Sequence, residues 1–152
     1  LRLAQQHNLP RQIRDIIPQH HGTRLITFFY RKARKNEDPD VPEIQEIDYR
    51  YPGPKPQSKE AAIFMMADSV EAAARTVEEP TPAGFEEVIT TVSNAIILDH
   101  QLDECDLTFS DLSRIRSSFL KTLAAVHHHR ITYPGFEFDR SRPRGPRAVE
   151  AE

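Results

Sequence analysis

The sequence lacks several features that mark common classes of protein. Its single cysteine, Cys105, excludes a disulfide framework and favours a reducing compartment, so we expect a cytoplasmic segment. No apolar run approaches the roughly 20 residues that a membrane-spanning helix needs. The formal net charge is -3, so the chain lacks the excess of basic residues that is typical of proteins that bind duplex nucleic acid. The chain also begins at Leu1-Arg2-Leu3 without Met or a signal pattern, which predicts a segment cut from a longer protein.

Helical periodicity is the main pattern that is present. Five segments carry apolar residues at steps of three and four, and these segments start near Leu9, Thr23, Ser58, Phe85 and Thr108. The last segment begins with Thr108 and Asp111 at the spacing of a capping box. Residues 36–57 hold five prolines and are expected to be an irregular connection. The sequence therefore predicts an all-α fold, followed by a disordered tail at residues 135–152, where no apolar periodicity is left.

Finer details of three helices are also predicted. Pro18 is expected to loosen the backbone just before His20. In the helix that starts at Thr23, the apolar stripe includes Phe28 and Phe29. In the helix from Ser58 to about Glu78, the predicted core-facing stripe consists of Ile63, Met66, Ala67, Val70, Ala73, Ala74 and Val77.

Two adjacent histidines, His20 and His21, precede Gly22 and Thr23 at the end of a predicted helix. Imidazole is the commonest nitrogen ligand of first-row metals, and an irregular backbone here could aim both rings at one point. The pair by itself nevertheless favours surface or capping histidines. The other histidines, at positions 7, 100 and 127–129, are expected to have structural roles.

Asp68 interrupts the most apolar helical stretch of the chain, residues 62–74. A carboxylate buried there without a partner is costly, and a metal ion or an arginine would offset that cost. Steps of three, four and seven residues place Phe64, Glu71 and Arg75 on the face of Asp68. Asp68 could bind a metal while Arg75 binds a phosphate oxygen. Periodicity alone slightly favours the alternative, a solvated polar stripe of little consequence.

The proline-rich loop of residues 49–60 presents Lys55, together with Arg50 and Lys59, beside two tyrosines. Such a loop could hold a nucleotide through phosphate contacts and base stacking. Its prolines could equally brace the start of the next helix, with Ser58 as the N-cap. The sequence leaves both interpretations open.

The motifs of this chain, taken in order, resemble those of one family. They are His20-His21-Gly22-Thr23, residues 51–56, Lys59-Glu60, residues 67–72 with Arg75, residues 101–108, and residues 129–131 with Tyr133-Pro134. In this order they resemble the HD domain of the seven-transmembrane HD family, the PgpH-type cyclic di-AMP phosphodiesterases. The resemblance implies that residues 1–134 are the C-terminal portion of an HD phosphohydrolase domain, which has an HD-type helical bundle fold.

The resemblance also implies a function. The parent would be an integral membrane protein with transmembrane helices, whose cytoplasmic HD domain hydrolyses a cyclic dinucleotide, cyclic di-AMP, to pApA. Two divalent metal ions, typically Mn or Fe, would serve as cofactors. By motif, His20, His21 and Asp68 match the family's later metal ligands, and Lys55 and Arg75 are candidate contacts to substrate phosphate.

Two features depart from the family pattern. The family's earlier ligands lie upstream of the His-His-Gly-Thr motif, and nothing before Leu9 matches them, because His7 stands in a different context. His100 replaces a glycine that the family usually has before Gln-Leu-Asp. We therefore expect the chain alone to bind metal weakly. Two alternatives stay open: an HD phosphohydrolase for cyclic di-GMP or a guanosine polyphosphate, and a non-catalytic HD module that binds a nucleotide or a partner.

Overall fold

A computed structural model of the chain describes residues 1–35, 44–78 and 80–127. The predicted disordered tail of residues 135–152 lies outside these ranges. Within them the helices are α1 (Arg2–Gln6), α2 (Arg11–Gln19), α3 (Thr27–Lys35), a 3-10 helix (Glu46–Tyr49), α4 (Lys59–Ala74), α5 (Pro82–Leu98) and α6 (Phe109–Val126). The β-type pairing in the described residues is one isolated bridge, between Leu25 and Arg50. The predicted all-α fold is confirmed.

Side-chain caps set the starts of the three long helices. Ser58, Thr81 and Thr108 each accept a hydrogen bond from the backbone N–H three residues further on, at 3.1 to 3.2 Å. The Asp111 carboxylate also accepts a hydrogen bond from the Thr108 N–H, at 3.2 Å. The predicted capping box is therefore confirmed. Loss of such a cap costs about 1 kcal/mol. In the described ranges, no helix combines the length and the apolar character needed to cross a bilayer.

The core lies where α4, α5 and α6 pack against one another, and α4 also contacts α2. Its centre is a cluster of nearly or fully buried side chains, namely Met65, Met66, Ile96, Leu112 and Ile115. Full burial of a side chain of this size contributes about 1.5–3 kcal/mol. This cluster packs α4 against α5 and α6, and α4 in turn carries Asp68.

The buried side of α4 differs from the predicted stripe. Met66, Val70 and Ala74 are buried as expected, but Ile63 is exposed and Met65 is fully buried. The reason is that α4 contacts three other helices. Packing on several sides buries neighbouring positions that a single stripe cannot include.

The helix predicted from Thr23 begins later, at Thr27. Residues 24–26 are not helical because they pair with residues 49–51, where the Ile26 N–H donates to the Tyr49 carbonyl at 2.8 Å. This pairing brings the end of the His-His-Gly-Thr motif against the proline-rich loop. Local periodicity cannot show it, since the two segments are far apart in sequence.

One helix was missed, and two further predictions are corrected. The short helix α1 was not predicted, because five residues are too few to show a period. Pro18 lies inside α2, which continues to Gln19, since a proline near the C-terminal end removes only one helical hydrogen bond. Phe28 and Phe29, expected on an apolar stripe, are 71% and 56% exposed.

Candidate metal and nucleotide site

His20 and His21 lie at the C-terminal end of α2, with ring centroids 4.0 Å apart. The Nδ1 atom of His20 is 2.7 Å from the carbonyl oxygen of Ile17. Because a carbonyl oxygen only accepts hydrogen bonds, Nδ1 is the donor, and in the neutral form of the ring the lone pair lies on Nε2. A backbone carbonyl orients metal-binding histidines in this way. The ring of His20 is therefore prepared to coordinate through Nε2.

Asp68 lies on the face of α4 that is turned toward the histidine pair. One helical turn before it, the ring of Phe64 packs edge-on against the ring of His20, with centroids 6.1 Å apart. Burial and the charge of His20 lower the pKa of His21, and the negative charge of Asp68 partly opposes this. The neutral imidazole that a metal requires is thus favoured at His21.

The donor atoms of His20, His21 and Asp68 suit a first-row divalent metal, because imidazole nitrogen and carboxylate oxygen are both ligands of Mn and Fe. Within residues 1–35, 44–78 and 80–127, however, no three His, Cys, Asp or Glu side chains form a group that could hold a metal ion. The coordination of one ion by all three residues stays a prediction.

One buried side chain, Gln101, holds the backbone that follows the histidines. Its Oε1 accepts from the Thr23 N–H at 2.9 Å, and its Nε2 donates to Thr23 Oγ1 at 3.0 Å. Gly22, between His21 and Thr23, has a φ of +57°. A Cβ at this position would lie 2.3 Å from Gln101 Oε1. Glycine is required here both by the left-handed backbone and by the lack of space.

Asp99 extends this network to Arg50. The carboxylate of Asp99 accepts from Gln101 Nε2 at 3.1 Å and from both terminal nitrogens of Arg50, at 2.9 and 3.3 Å. Arg50 also donates to the Thr23 carbonyl at 2.8 Å. The hydrogen bonds that Arg50 donates to Asp99 and then to Glu46 raise its pKa. Arg50 thus ties the motif to the proline-rich loop instead of facing a ligand.

The proline-rich loop borders the histidine pair. The ring of Tyr51 stacks on that of His21, with centroids 4.3 Å apart. A Cβ at Gly53, where φ is +79°, would lie 2.9 Å from Thr23 Cγ2. Lys55 is half-buried in this loop. The loop therefore lies beside the histidine pair, and the contact between Lys55 and phosphate stays a prediction.

Arg75 differs from the other candidates in its partners. It caps the C-terminal end of α4, and its Nη2 lies 2.6 Å from Glu71 Oε1 on an exposed face, with the Arg75 side chain 74% exposed. Pairs of this kind contribute about 0–1 kcal/mol. The pair occupies Nε and Nη2 of the guanidinium. The contact of Arg75 with a phosphate also stays a prediction.

Three residues of this site were missed by reasoning from the sequence. Gln101 belongs to a family motif, but its partner Thr23 lies 78 residues away, so no local pattern indicates its role. Asp99 was not singled out for the same reason. Arg24 donates to Ser69 Oγ, next to Asp68. Its position directly after the His-His-Gly-Thr motif was a signal that could have found it.

Comparison with known proteins identifies relatives of this chain. No family model matches it. The cyclic-di-AMP phosphodiesterases PgpH of Bacillus subtilis and Listeria monocytogenes are 45% and 44% identical to it over 132 residues. The crystal structure of the HD domain of L. monocytogenes phosphodiesterase PgpH in complex with cyclic-di-AMP matches with a TM-score of 0.77 and 43% identity. The chain is homologous to part of the PgpH HD domain.

The chain spans less than a fifth of the length of the PgpH relatives. The two sequence alignments cover 87% of this chain and 18% of each PgpH relative. The structural match covers 87% of this chain and 60% of the PgpH HD domain chain. The predicted family resemblance and the predicted HD-type helical fold are both confirmed.

Proposed function

We propose that residues 1–134 are the C-terminal portion of an HD domain that hydrolyses cyclic di-AMP to pApA in a reaction that depends on divalent metal ions. The observation that carries the proposal is the match to the PgpH HD domain crystallised with cyclic-di-AMP, at 43% identity and a TM-score of 0.77. The histidine pair beside Asp68 supports it, because these are metal-binding residue types next to a loop with a half-buried lysine.

In this proposal the site contains two divalent metal ions, either Mn or Fe. His20, His21 and Asp68 are among their ligands. When bound, such ions polarise a phosphodiester and lower the pKa of a water nucleophile. The residues of this chain orient the ligands. The Ile17 carbonyl fixes the tautomer of His20, and Gln101 holds the turn after His21.

The proposed substrate is a cyclic dinucleotide whose phosphates contact the cations of Lys55 and Arg75. The remaining metal ligands would come from another part of the full-length protein, as the family pattern implies. The full-length protein is proposed to carry transmembrane helices, with the HD domain in the cytoplasm.

The test is a hydrolysis assay of the full-length protein with Mn²⁺. We expect it to convert cyclic di-AMP to pApA faster than it converts cyclic di-GMP or a guanosine polyphosphate, with products identified by chromatography. Residues 1–152 alone are expected to be inactive, because the upstream ligands are absent from the chain. Preferred turnover of another nucleotide would support a different HD phosphohydrolase. Binding without turnover would support a non-catalytic module.

A further inference from the structure

Arg24 is a charged residue in the candidate site to which no role has been given. Its backbone is held on both sides. The Arg24 N–H donates to the His21 carbonyl at 3.3 Å, and the Arg24 carbonyl accepts from the Tyr51 N–H at 3.0 Å. Arg24 is therefore fixed between the turn that carries the histidines and the loop that borders them.

The side chain of Arg24 reaches α4 beside Asp68. Its Nη1 donates to Ser69 Oγ. The Ser69 hydroxyl in turn donates to the Met65 carbonyl at 2.8 Å, so its single proton is used and its oxygen accepts from the guanidinium. The cation thus lies next to the residue that is proposed to bind metal.

The charge of this guanidinium is only partly balanced. The side chain is partly buried, and it donates a hydrogen bond to the neutral hydroxyl of Ser69. Among the described residues Arg24 has no ion pair with a carboxylate, whereas Arg50 binds Asp99 and Arg75 binds Glu71. A partly buried arginine without a direct carboxylate partner is well suited to bind an anion.

We propose that Arg24 binds a non-bridging phosphate oxygen of the cyclic dinucleotide, which makes it a substrate-binding residue. This inference rests on the proposed function of the same site. The planar fork of a guanidinium matches phosphate geometry, and the Ser69 bond leaves further N–H groups of the guanidinium available for a second acceptor. Arg24 lies beside Asp68, so the phosphate that it binds would lie at the proposed metal ligands.

The competing explanation is that Arg24 only links the histidine turn to α4. Ser69→Ala separates the two, because it removes the link and keeps the guanidinium. Arg11→Ala is the matched control, since Arg11 pairs with Asp15 at 3.5 Å on an exposed face of α2. We would compare these variants with Arg24→Ala and Arg24→Lys in the full-length protein. The measurements are KM, kcat, the Kd of cyclic di-AMP by calorimetry, inhibition by inorganic phosphate, metal content and thermal unfolding.

We expect Arg24→Ala to raise both KM and Kd by about tenfold to a hundredfold, as for loss of a charged hydrogen bond. Inhibition by inorganic phosphate should weaken in parallel, while metal content stays at the wild-type level. Arg24→Lys should recover part of the affinity, and Ser69→Ala should keep most of it. The proposal is overturned if Arg24→Ala leaves KM and Kd at the values of Arg11→Ala. It is also overturned if Ser69→Ala reproduces every effect of Arg24→Ala.

The same experiment separates this inference from the proposed function. If the wild-type protein does not hydrolyse cyclic di-AMP, the proposed function fails. Binding of inorganic phosphate that is lost in Arg24→Ala would then still support an anion site at Arg24. If the wild-type protein is active and Arg24→Ala is equally active with unchanged Kd, only the role of Arg24 is rejected.

Discussion

The side chain of Gln101 is hydrogen-bonded to both the backbone and the side chain of Thr23, 78 residues away in sequence. Gln101 Oε1 accepts from the Thr23 N–H at 2.9 Å, and Gln101 Nε2 donates to Thr23 Oγ1 at 3.0 Å. Gln101 is fully buried, and Thr23 is partly buried. The turn that carries the two histidines is therefore positioned by a residue on a distant loop.

We predict that Gln101→Met lowers the free energy of unfolding by about 1–3 kcal/mol, because it keeps the side-chain volume and leaves the Thr23 N–H without its acceptor. The affinity of the full-length protein for Mn²⁺ should fall as well, since the turn loses its anchor. Urea unfolding and a metal titration measure the two effects. Gln12→Met, on an exposed position of α2, is the control. If both variants behave alike, Gln101 does not position the site.

A second prediction concerns stability at acidic pH. A hydrogen bond from Lys59, followed by those from Thr108, lowers the pKa of Asp111 from 3.8 to about 2. Since the folded pKa is the lower one, the stabilisation is present above pH 3.8 and is lost as the pH falls toward about 2. Urea unfolding between these limits should show a smaller pH dependence for Asp111→Asn than for the wild type.

Lys59→Ala provides the graded comparison for this prediction. It removes the first cause of the lowered pKa of Asp111 and keeps the bonds from Thr108. Its pH dependence should therefore lie between those of the wild type and Asp111→Asn. Parallel curves for all three proteins would show that Asp111 does not contribute to acid sensitivity.

A third prediction concerns Arg75. Removal of a phosphate contact by Arg75→Ala should lower kcat/KM in the full-length protein, leave metal content unchanged, and be only partly restored by Arg75→Lys. If Arg75 only forms the exposed ion pair with Glu71, at 2.6 Å, Arg75→Ala should change the free energy of unfolding by about 0–1 kcal/mol. The kinetics should then stay unchanged. Steady-state kinetics with metal analysis distinguish the two. Unchanged kinetics would remove Arg75 from the site.

The helices were largely predictable because their signals are local. Thr108 and Asp111 mark the start of α6 by spacing alone, and Ser58 marks that of α4. The burial pattern of α4 was less predictable. Met65 is buried and Ile63 exposed because three helices contact α4, and sequence periodicity does not report how many neighbours a helix has.

Candidate site residues could be named from the sequence only where they carry a motif. His20, His21 and Asp68 follow from the family resemblance, and the structure places Asp68 where its charge acts on His21. The supporting residues could not be found in this way. Gln101 and Asp99 act on the motif through contacts across the fold, and a buried glutamine has no periodic signal of its own.

The most direct test of the central claim is the metal content and the cyclic di-AMP hydrolysis of the full-length Asp68→Ala variant, measured together. His7→Ala, on an exposed position, is the control. The proposed site predicts that Asp68→Ala loses bound metal and that hydrolysis falls by about a hundredfold or more, because metal catalysis supplies several kcal/mol. His7→Ala should keep both. Wild-type metal content and activity in Asp68→Ala would contradict the account.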